Sequence, residues 1–260
     1  MVQSVFCYDI TMMKYVVIIF IVLIGLILYL NRAYAHIFSF LNYNNPGNPT
    51  THTNFVFPSP IPNSPFKVTY VALGDSLTAG VGAALEKESY PYRLAERLAE
   101  SRGAEVTLVN LGQPGATARD VLNDQVPQVV ALHPDVVTLA IGINDMHNGV
   151  SDQEFQKNLR GIVNSLSSTV KYLNVATIPF LANKNAFWPP YRAYFDYQTQ
   201  HYNNLLRGAM SGRKILFIDL YSLTRERALN DASYYSPDGF HASAKAYDFW
   251  SQIFYDHINY

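Results

Sequence analysis

Four short stretches of the chain carry residue types that can perform acyl transfer. Gly74-Asp75-Ser76-Leu77 sets a serine directly after an apolar run. Asn110 to Thr117 (NLGQPGAT) holds two glycines, Gly112 and Gly115, and Gly142-Ile143-Asn144-Asp145 holds a side-chain amide. Far downstream, Ser236-Pro237-Asp238-Gly239-Phe240-His241 sets a carboxylate three residues before an imidazole. Hydrolysis by a serine needs a base to take its proton, a carboxylate to orient that base, and N–H donors for the oxyanion. The Asp238-x-x-His241 spacing lets one tight turn present the carboxylate to the ring. Gly115 offers a backbone N–H with no side chain in the way, and Asn144 offers an amide N–H. Each stretch alone also has a plainer reading, because Ser, Asp and Asn cap turns and helices for local reasons. The signature G-x-S-x-G is absent, since its fifth position is Thr78.

The elements that must position these residues alternate along the chain. Val68 to Leu73 is apolar and β-branched, as a strand covered on both faces would be. A helix is expected from about Ser89 to Arg102, with Pro91 in its first turn and Gly103 after its end. Glu105–Val109 is a second strand, and Thr117 with Asp120 has capping-box spacing for a helix through Leu132, kinked at Pro127. Asp135–Ile141, Tyr172–Ile178 and Lys214–Leu220 read as further strands. Ser151 and Glu154 cap the helix after the third strand, and a helix from about Ala242 to Ile258 closes the chain. Strands alternating with helices argue for βαβ units and a mostly parallel sheet of five strands. In such a sheet ligands bind outside the carboxyl ends of the strands, where Ser76, Gly115 and Asn144 fall.

GDSL at 74–77, the glycine of 110–117, GIND at 142–145 and DGFH at 238–241 together resemble the four blocks of the SGNH (GDSL) hydrolases, in order. The resemblance covers Phe66 to about Tyr260. It implies Ser76 as nucleophile, His241 as general base and Asp238 as its orienting partner. It also implies an oxyanion hole from the Ser76 N–H, the Gly115 N–H and the Asn144 side chain. Gly112 competes with Gly115 for that role, and the spacing from Asn110 and towards Thr117 favours Gly115. The implied fold is a flavodoxin-like three-layer α/β/α sandwich. The implied activity is hydrolysis of acyl esters or thioesters through an acyl-enzyme, without cofactor. GDSLTAGVGA followed by Ser89-Tyr90-Pro91 looks more like the lysophospholipase and thioesterase branch than the sugar-acetylesterase branch. A carbohydrate O-acetylesterase acting on cell-envelope polysaccharide is the alternative enzyme. A tethered binding module without turnover is the reading from another class, and the full set of catalytic residue types argues against it.

Other candidates carry less. His133, His201 and His257 read as structural, and His147 reads mainly as structural although it lies close to Asn144. Asp238 and His241 have no further ligand cluster to complete a metal site. Gly80-Val81-Gly82 lacks the residues of a phosphate loop. Phe187 to Tyr202 is rich in aromatics. Most of them read as a helical core stripe, while Trp188, ahead of Pro189-Pro190, is a tentative lining residue for an acyl or sugar pocket.

With 260 residues, 49% hydrophobic and 15% charged, the chain has material for one sizeable core. A formal charge of −1 supplies no basic surface for nucleic acid. The single cysteine, Cys7, excludes an intrachain disulfide. Tyr15–Leu30 is an uncharged apolar run between Lys14 and Arg32, and residues 1–41 read as an anchor or a signal segment. Ala33-Tyr34-Ala35 fits a small-x-small cleavage site, so secretion after a cut following Ala35 stands beside a single-pass anchor with the domain outside the cytoplasm. The Pro- and Asn-rich stretch 42–65 reads as a spacer with no pattern for packing on the domain 66–260.

Overall fold

The computed structural model describes residues 2–43, 53–167, 169–210 and 215–258; of residues 2–11 and 41–43 it describes the backbone alone. Its elements, in order, are helix α1 (Val2–Tyr43), strands β1 (Thr53–Phe57) and β2 (Lys67–Gly74), helices α2 (Ser76–Ala79) and α3 (Tyr90–Arg102), and strand β3 (Glu105–Asn110). Helix α4 (Ala118–Asp120), a π-helical turn at Val121–Gln125 and α5 (Val126–Leu132) lead to β4 (Val136–Ala140). Then follow α6 (Ile143–His147), α7 (Asp152–Leu166), β5 (Tyr172–Ala176), α8 (Tyr191–Met210), β6 (Leu216–Ile218), α9 (Leu220–Asn230) and α10 (Ala244–His257).

The sheet order is β1-β3-β2-β4-β5-β6, with β3, β2, β4, β5 and β6 parallel and β1 antiparallel at the edge. Its five parallel strands take the flavodoxin-like order, in which the crossovers reverse direction between the first and third of them. Those two are β2 and β4, so the crevice of this sheet opens where Ser76 and Asn144 follow their strands. The centre is the most apolar part: every residue of β4 is buried, as is β2 from Tyr70 onward. Helices α3 and α10 pack together on one face, joined by the stacked rings of Tyr90 and Phe254 at 4.8 Å. The other face is covered by α5, α7 and α8, and Phe155, Leu159, Ile162, Val163 and Leu166 form the buried stripe of α7.

Several local expectations meet their elements. Thr117 and Asp120 form a reciprocal capping box, Ser151 accepts from the Glu154 N–H, and Gly103 closes α3 in a left-handed conformation. A π-helical turn precedes Pro127, which is the second residue of α5, in the first turn where a missing N–H is tolerated. The fifth expected strand ends early, at Ile218 in Leu216–Ile218, because Leu220 already opens α9; its expected first residue, Lys214, lies outside the described residues.

The sheet has six strands, not five, and the sixth comes from the stretch expected to be a spacer. In Thr53–Phe57 burial alternates residue by residue, and Phe55 and Phe57 set their rings edge-on against Tyr92 of α3 at 4.9 and 4.7 Å. Beyond it, the Ser59 and Ser64 hydroxyls both donate to the Gly103 carbonyl. The Pro- and Asn-rich composition around five alternating residues hid this strand; positions 44–52 of the stretch lie outside the described residues. Because β1 packs on α3, Phe57→Ala should destabilise the domain by about 3–5 kcal/mol, the range for truncating a buried ring. Urea unfolding measures this, and a change under 0.5 kcal/mol would mean that the strand is not integral to the core.

Candidate active site

Strand β2 delivers the serine through a tightly fixed last residue. Gly74 donates its N–H to Gln125 Oε1 (2.9 Å), and its carbonyl accepts from Gln125 Nε2 (2.8 Å). Gln125 is buried in the π-helical turn, so that turn clamps the backbone just before Ser76. A Cβ on Gly74 would lie 2.2 Å from the Ala140 carbonyl oxygen, at φ +151, so no other residue type fits without displacing β4. Asp75 then caps the short helix α2 by accepting the Leu77 N–H (2.9 Å), and Ser76 is its first residue, where a backbone N–H has no intrahelical partner.

The histidine arrives from the turn before α10. Asp238 is buried, and its Oδ1 accepts from the Ser236 hydroxyl (2.6 Å) and the N–H groups of Phe240 (2.8 Å) and His241 (2.9 Å). Its Oδ2 pairs with His241 Nδ1 at 2.5 Å, and His241 Nε2 lies 3.1 Å from Ser76 Oγ. Burial alone would raise the Asp238 pKa. The His241 hydrogen bond and charge, with the Ser236 and Phe240 donors, outweigh it and hold the carboxyl at about 2. Gly82 lets the two loops meet: a Cβ there would fall 2.5 Å from the Ala242 carbonyl and 2.9 Å from His241 Cβ. Tyr247 of α10 donates to the Val81 carbonyl (2.6 Å), fastening the same junction.

The remaining expected residues converge from β3 and β4. Asn144 is half-buried and donates one amide hydrogen to the Ala116 carbonyl (2.9 Å), next to Gly115. The Ala118 N–H donates to the buried carboxylate of Asp145 (2.9 Å), so the loops after β3 and β4 are tied twice. The two glycines of the first loop differ. The Gly112 N–H is consumed by Asn110 Oδ1 (3.0 Å), whereas among the described residues the Gly115 N–H meets no acceptor and the space beside its Cα is open.

Trp188 does not join this group. Its ring stacks on His36 of α1, with centroids 4.2 Å apart. The rings beside Ser76, His241 and Asp238 are Phe240, edge-on to His241 at 5.1 Å, and behind it Phe187 and Phe195. His147 lies 5.5 Å from Phe240, and desolvation, then the charge of His241, lowers its pKa. Sequence reading treated His147 as mainly structural and Phe195 as core. Its nearness to Asn144 was the available signal for His147, whereas the clamping role of Gln125 left none. His201 pairs with Asp152 (3.0 Å), and His257 Nδ1 meets the Ile253 carbonyl (2.8 Å), both away from Ser76, His241 and Asp238. Among the described residues no cluster of three or more His, Cys, Asp or Glu could hold a metal ion.

The fold is an α/β sandwich in which the loops after β2, β3 and β4 and the turn before α10 come together at one end of the sheet. A family profile described as GDSL-like Lipase/Acylhydrolase matches residues 72–249, and the chain belongs to that family. It is a carboxylic ester hydrolase. The spore germination lipase LipC of Bacillus licheniformis is 26% identical over 201 residues, covering 70% of this chain and 92% of that protein. An arylesterase of Vibrio mimicus is 33% identical over 100 residues, 38% of this chain and 48% of that one. Among solved structures, a lipase/acylhydrolase from Enterococcus faecalis superposes with TM-score 0.60 at 20% identity, over 74% of this chain and 97% of that one. The acetylxylan esterase Axe2 of Geobacillus stearothermophilus gives TM-score 0.56 at 21% identity, over 74% and 94%. At these identities the structural likeness speaks to the fold alone.

Behind Ser76 sits a buried carboxyl with the opposite electrostatics to Asp238. Desolvation raises the Asp75 pKa to about 7, against the opposing Leu77 N–H, and burial likewise raises Asp145 to about 6. A folded-state pKa above the unfolded value of about 3.9 means that the native state binds more protons between those values. Stability should therefore fall as pH rises from about 4 to 7. Asp75→Asn, which keeps an acceptor for Leu77, should flatten the upper part of that decline. Melting temperatures of both proteins across this range test it, and parallel curves would mean that Asp75 is ionised throughout.

Proposed function

We propose that this chain is a membrane-tethered serine esterase, its catalytic domain outside the cytoplasm, that hydrolyses acyl esters or thioesters of the lysophospholipase or thioesterase kind. The observation that carries the reading is the unbroken line of hydrogen bonds from Asp238 through His241 to Ser76, at 2.5 and 3.1 Å. In this reading Ser76 Oγ attacks the acyl carbonyl and its proton passes to His241 Nε2. The imidazolium that forms is stabilised by Asp238, and the carbonyl oxygen becomes an oxyanion. The Ser76 and Gly115 N–H groups and the second amide hydrogen of Asn144 are the donors assigned to that oxyanion. As the tetrahedral intermediate collapses, the bond to the alcohol or thiol breaks and His241 protonates the departing group. Water, deprotonated by the same imidazole, then attacks the acyl-serine, and loss of Ser76 Oγ releases the acid.

The acyl preference is supported by the apolar rings of Phe240, Phe187 and Phe195 on the His241 side of the site. A retained tether is supported by α1, whose stretch Met12–Phe40 is long and apolar enough to cross a membrane. That helix runs unbroken through the Ala33-Tyr34-Ala35 site, and Ala33 is fully buried against the domain.

Ser76→Ala should abolish turnover of a short-chain aryl ester and labelling by a fluorophosphonate, with the circular dichroism spectrum unchanged. Full activity in that variant would remove Ser76 as nucleophile. Asn144→Ala should lower kcat by about 10²–10³-fold with little change in KM, the effect of losing one oxyanion donor. A raised KM at constant kcat would make Asn144 a substrate-binding residue instead. Lysophospholipids, acyl thioesters and acetylated sugars compared in one panel separate the acyl reading from polysaccharide deacetylation.

A further inference from the structure

Helix α1 does not end where its apolar run ends. Met12 to Leu28 are exposed all round, the large side chains at 48–64%. From Leu30 onward one stripe, Leu30, Ala33, Ile37 and Phe40, turns inward at helical spacing and meets the catalytic domain. Tyr29 donates to the Pro189 carbonyl (2.6 Å), and Tyr191 donates to the Leu30 carbonyl (3.3 Å). His36 stacks on Trp188 and hydrogen-bonds the Asn185 carbonyl (2.9 Å). Phe40 covers Gly239 so closely that a Cβ there would lie 2.3 Å from its ring. The contact therefore begins within one turn of the end of the apolar run and reaches the turn that carries Asp238 and His241.

We infer that this docking seats the active-site side of the domain on the bilayer surface, so that the enzyme draws its substrate, a single-chain acyl ester, from the membrane it is anchored in. The inference rests on the esterase reading for its chemistry and on the helix contacts for its geometry. A continuous helix that both spans and docks leaves no hinge, so the domain's orientation to the bilayer follows from that of the helix. The sixteen residues Tyr15–Leu30 span about 24 Å at 1.5 Å per residue, short of a hydrocarbon core of about 30 Å. Such a mismatch draws flanking residues into the interface. On the domain side the run ends with Tyr29, 42% exposed, and the flanks are Tyr34, 54% exposed, and then α8, which begins at Tyr191 and leaves Tyr194 and Tyr197 60% and 66% exposed. Tyrosines are the side chains that settle at headgroup level, with an apolar ring and a polar tip. From Leu30 to Phe40 the helix rises about 15 Å, which puts the Gly239 turn just beyond the headgroups. A soluble polysaccharide gains nothing from that position, whereas a lysophospholipid-like ester lifted a short way out of the leaflet reaches the serine.

The experiment uses the full chain reconstituted in phosphatidylcholine vesicles. Ala33→Arg forces a long charged side chain into a fully buried contact and should lift the domain off the helix; His36→Ala weakens the contact without a steric wedge. With lysophosphatidylcholine carried in the vesicles, kcat/KM should fall at least tenfold in Ala33→Arg and about threefold in His36→Ala. A soluble short-chain aryl ester should change less than twofold in either. Equal loss on both substrates, or loss on neither, overturns the inference. A second readout is independent of turnover: Trp188 fluorescence, assigned by difference from Trp188→Phe, should be quenched by headgroup-spin-labelled phosphatidylcholine in the wild type and much less in Ala33→Arg. An unquenched wild type overturns the inference whatever the hydrolysis shows. Quenching without hydrolysis of any ester would instead leave the docking standing and remove the esterase reading.

Discussion

The arrangement of Ser76, His241 and Asp238 depends on the fixed carboxyl end of β2. Gly74 has strand β4 against its Cα, Gln125 bonded to the two peptides that flank it, and Thr78 Oγ1 within 2.3 Å of where a Cβ would sit. With no freedom left there, the chain turns into α2 in one way, and Ser76 emerges at its start. The cost of this clamp is polar burial: Gln125, Asp75 and Thr78 are all buried, and each must be satisfied by a neighbour. Gln125 uses both ends of its amide on one residue, bonding the two peptides that flank the Gly74 Cα, Asp75 accepts from Leu77, and Thr78 Oγ1 meets the Tyr90 hydroxyl (3.1 Å). A buried network in which each member is paired specifies a single arrangement more sharply than apolar packing would.

Against that fixed serine, the histidine loop is positioned by one carboxylate. Asp238 spends one oxygen on three donors of its own turn and the other on the imidazole. The same group therefore shapes the turn, selects the Nδ1-protonated ring and remains ionised. Asp75 and Asp238 are both buried carboxyls near Ser76, yet they are driven in opposite directions. Asp75 receives the Leu77 N–H and desolvation wins; Asp238 faces an imidazole and several N–H and O–H donors, and these win. Environment rather than residue type divides the two roles.

Much of this was legible in the sequence because it is written locally. The strand ends at Leu73-Gly74 and Ile141-Gly142, the capping box at Thr117 and Asp120, and the three-residue step from Asp238 to His241 each depend on neighbours in the chain. Gln125 depends on a π-helical turn and on a strand about fifty residues earlier, so no local pattern marks it. The edge strand Thr53–Phe57 was concealed by composition: five alternating residues inside a Pro- and Asn-rich stretch contribute too little to outweigh it. Trp188 was set apart from the aromatic helix by Pro189-Pro190, but its partner His36 lies in a segment that sequence reading assigned wholly to the membrane and its flank.

That last case shows what hydropathy omits. A span is recognised by the absence of polar residues, and a docking stripe by one buried residue every three or four; where the two overlap on one helix, the stronger signal conceals the weaker. In α1 the stripe of Leu30, Ala33, Ile37 and Phe40 is apolar too, so it reads as a ragged continuation of the span. The separating feature is the polar company at the junction: Arg32, His36 and Ser39 on a helix that still buries Ala33 completely. Lipid has no use for such a mixture at helical spacing, but a folded surface does, because its carbonyls at Asn185 and Pro189 are there to be bonded. The folded α/β unit is thus bonded directly to α1, through Tyr29, Leu30 and His36.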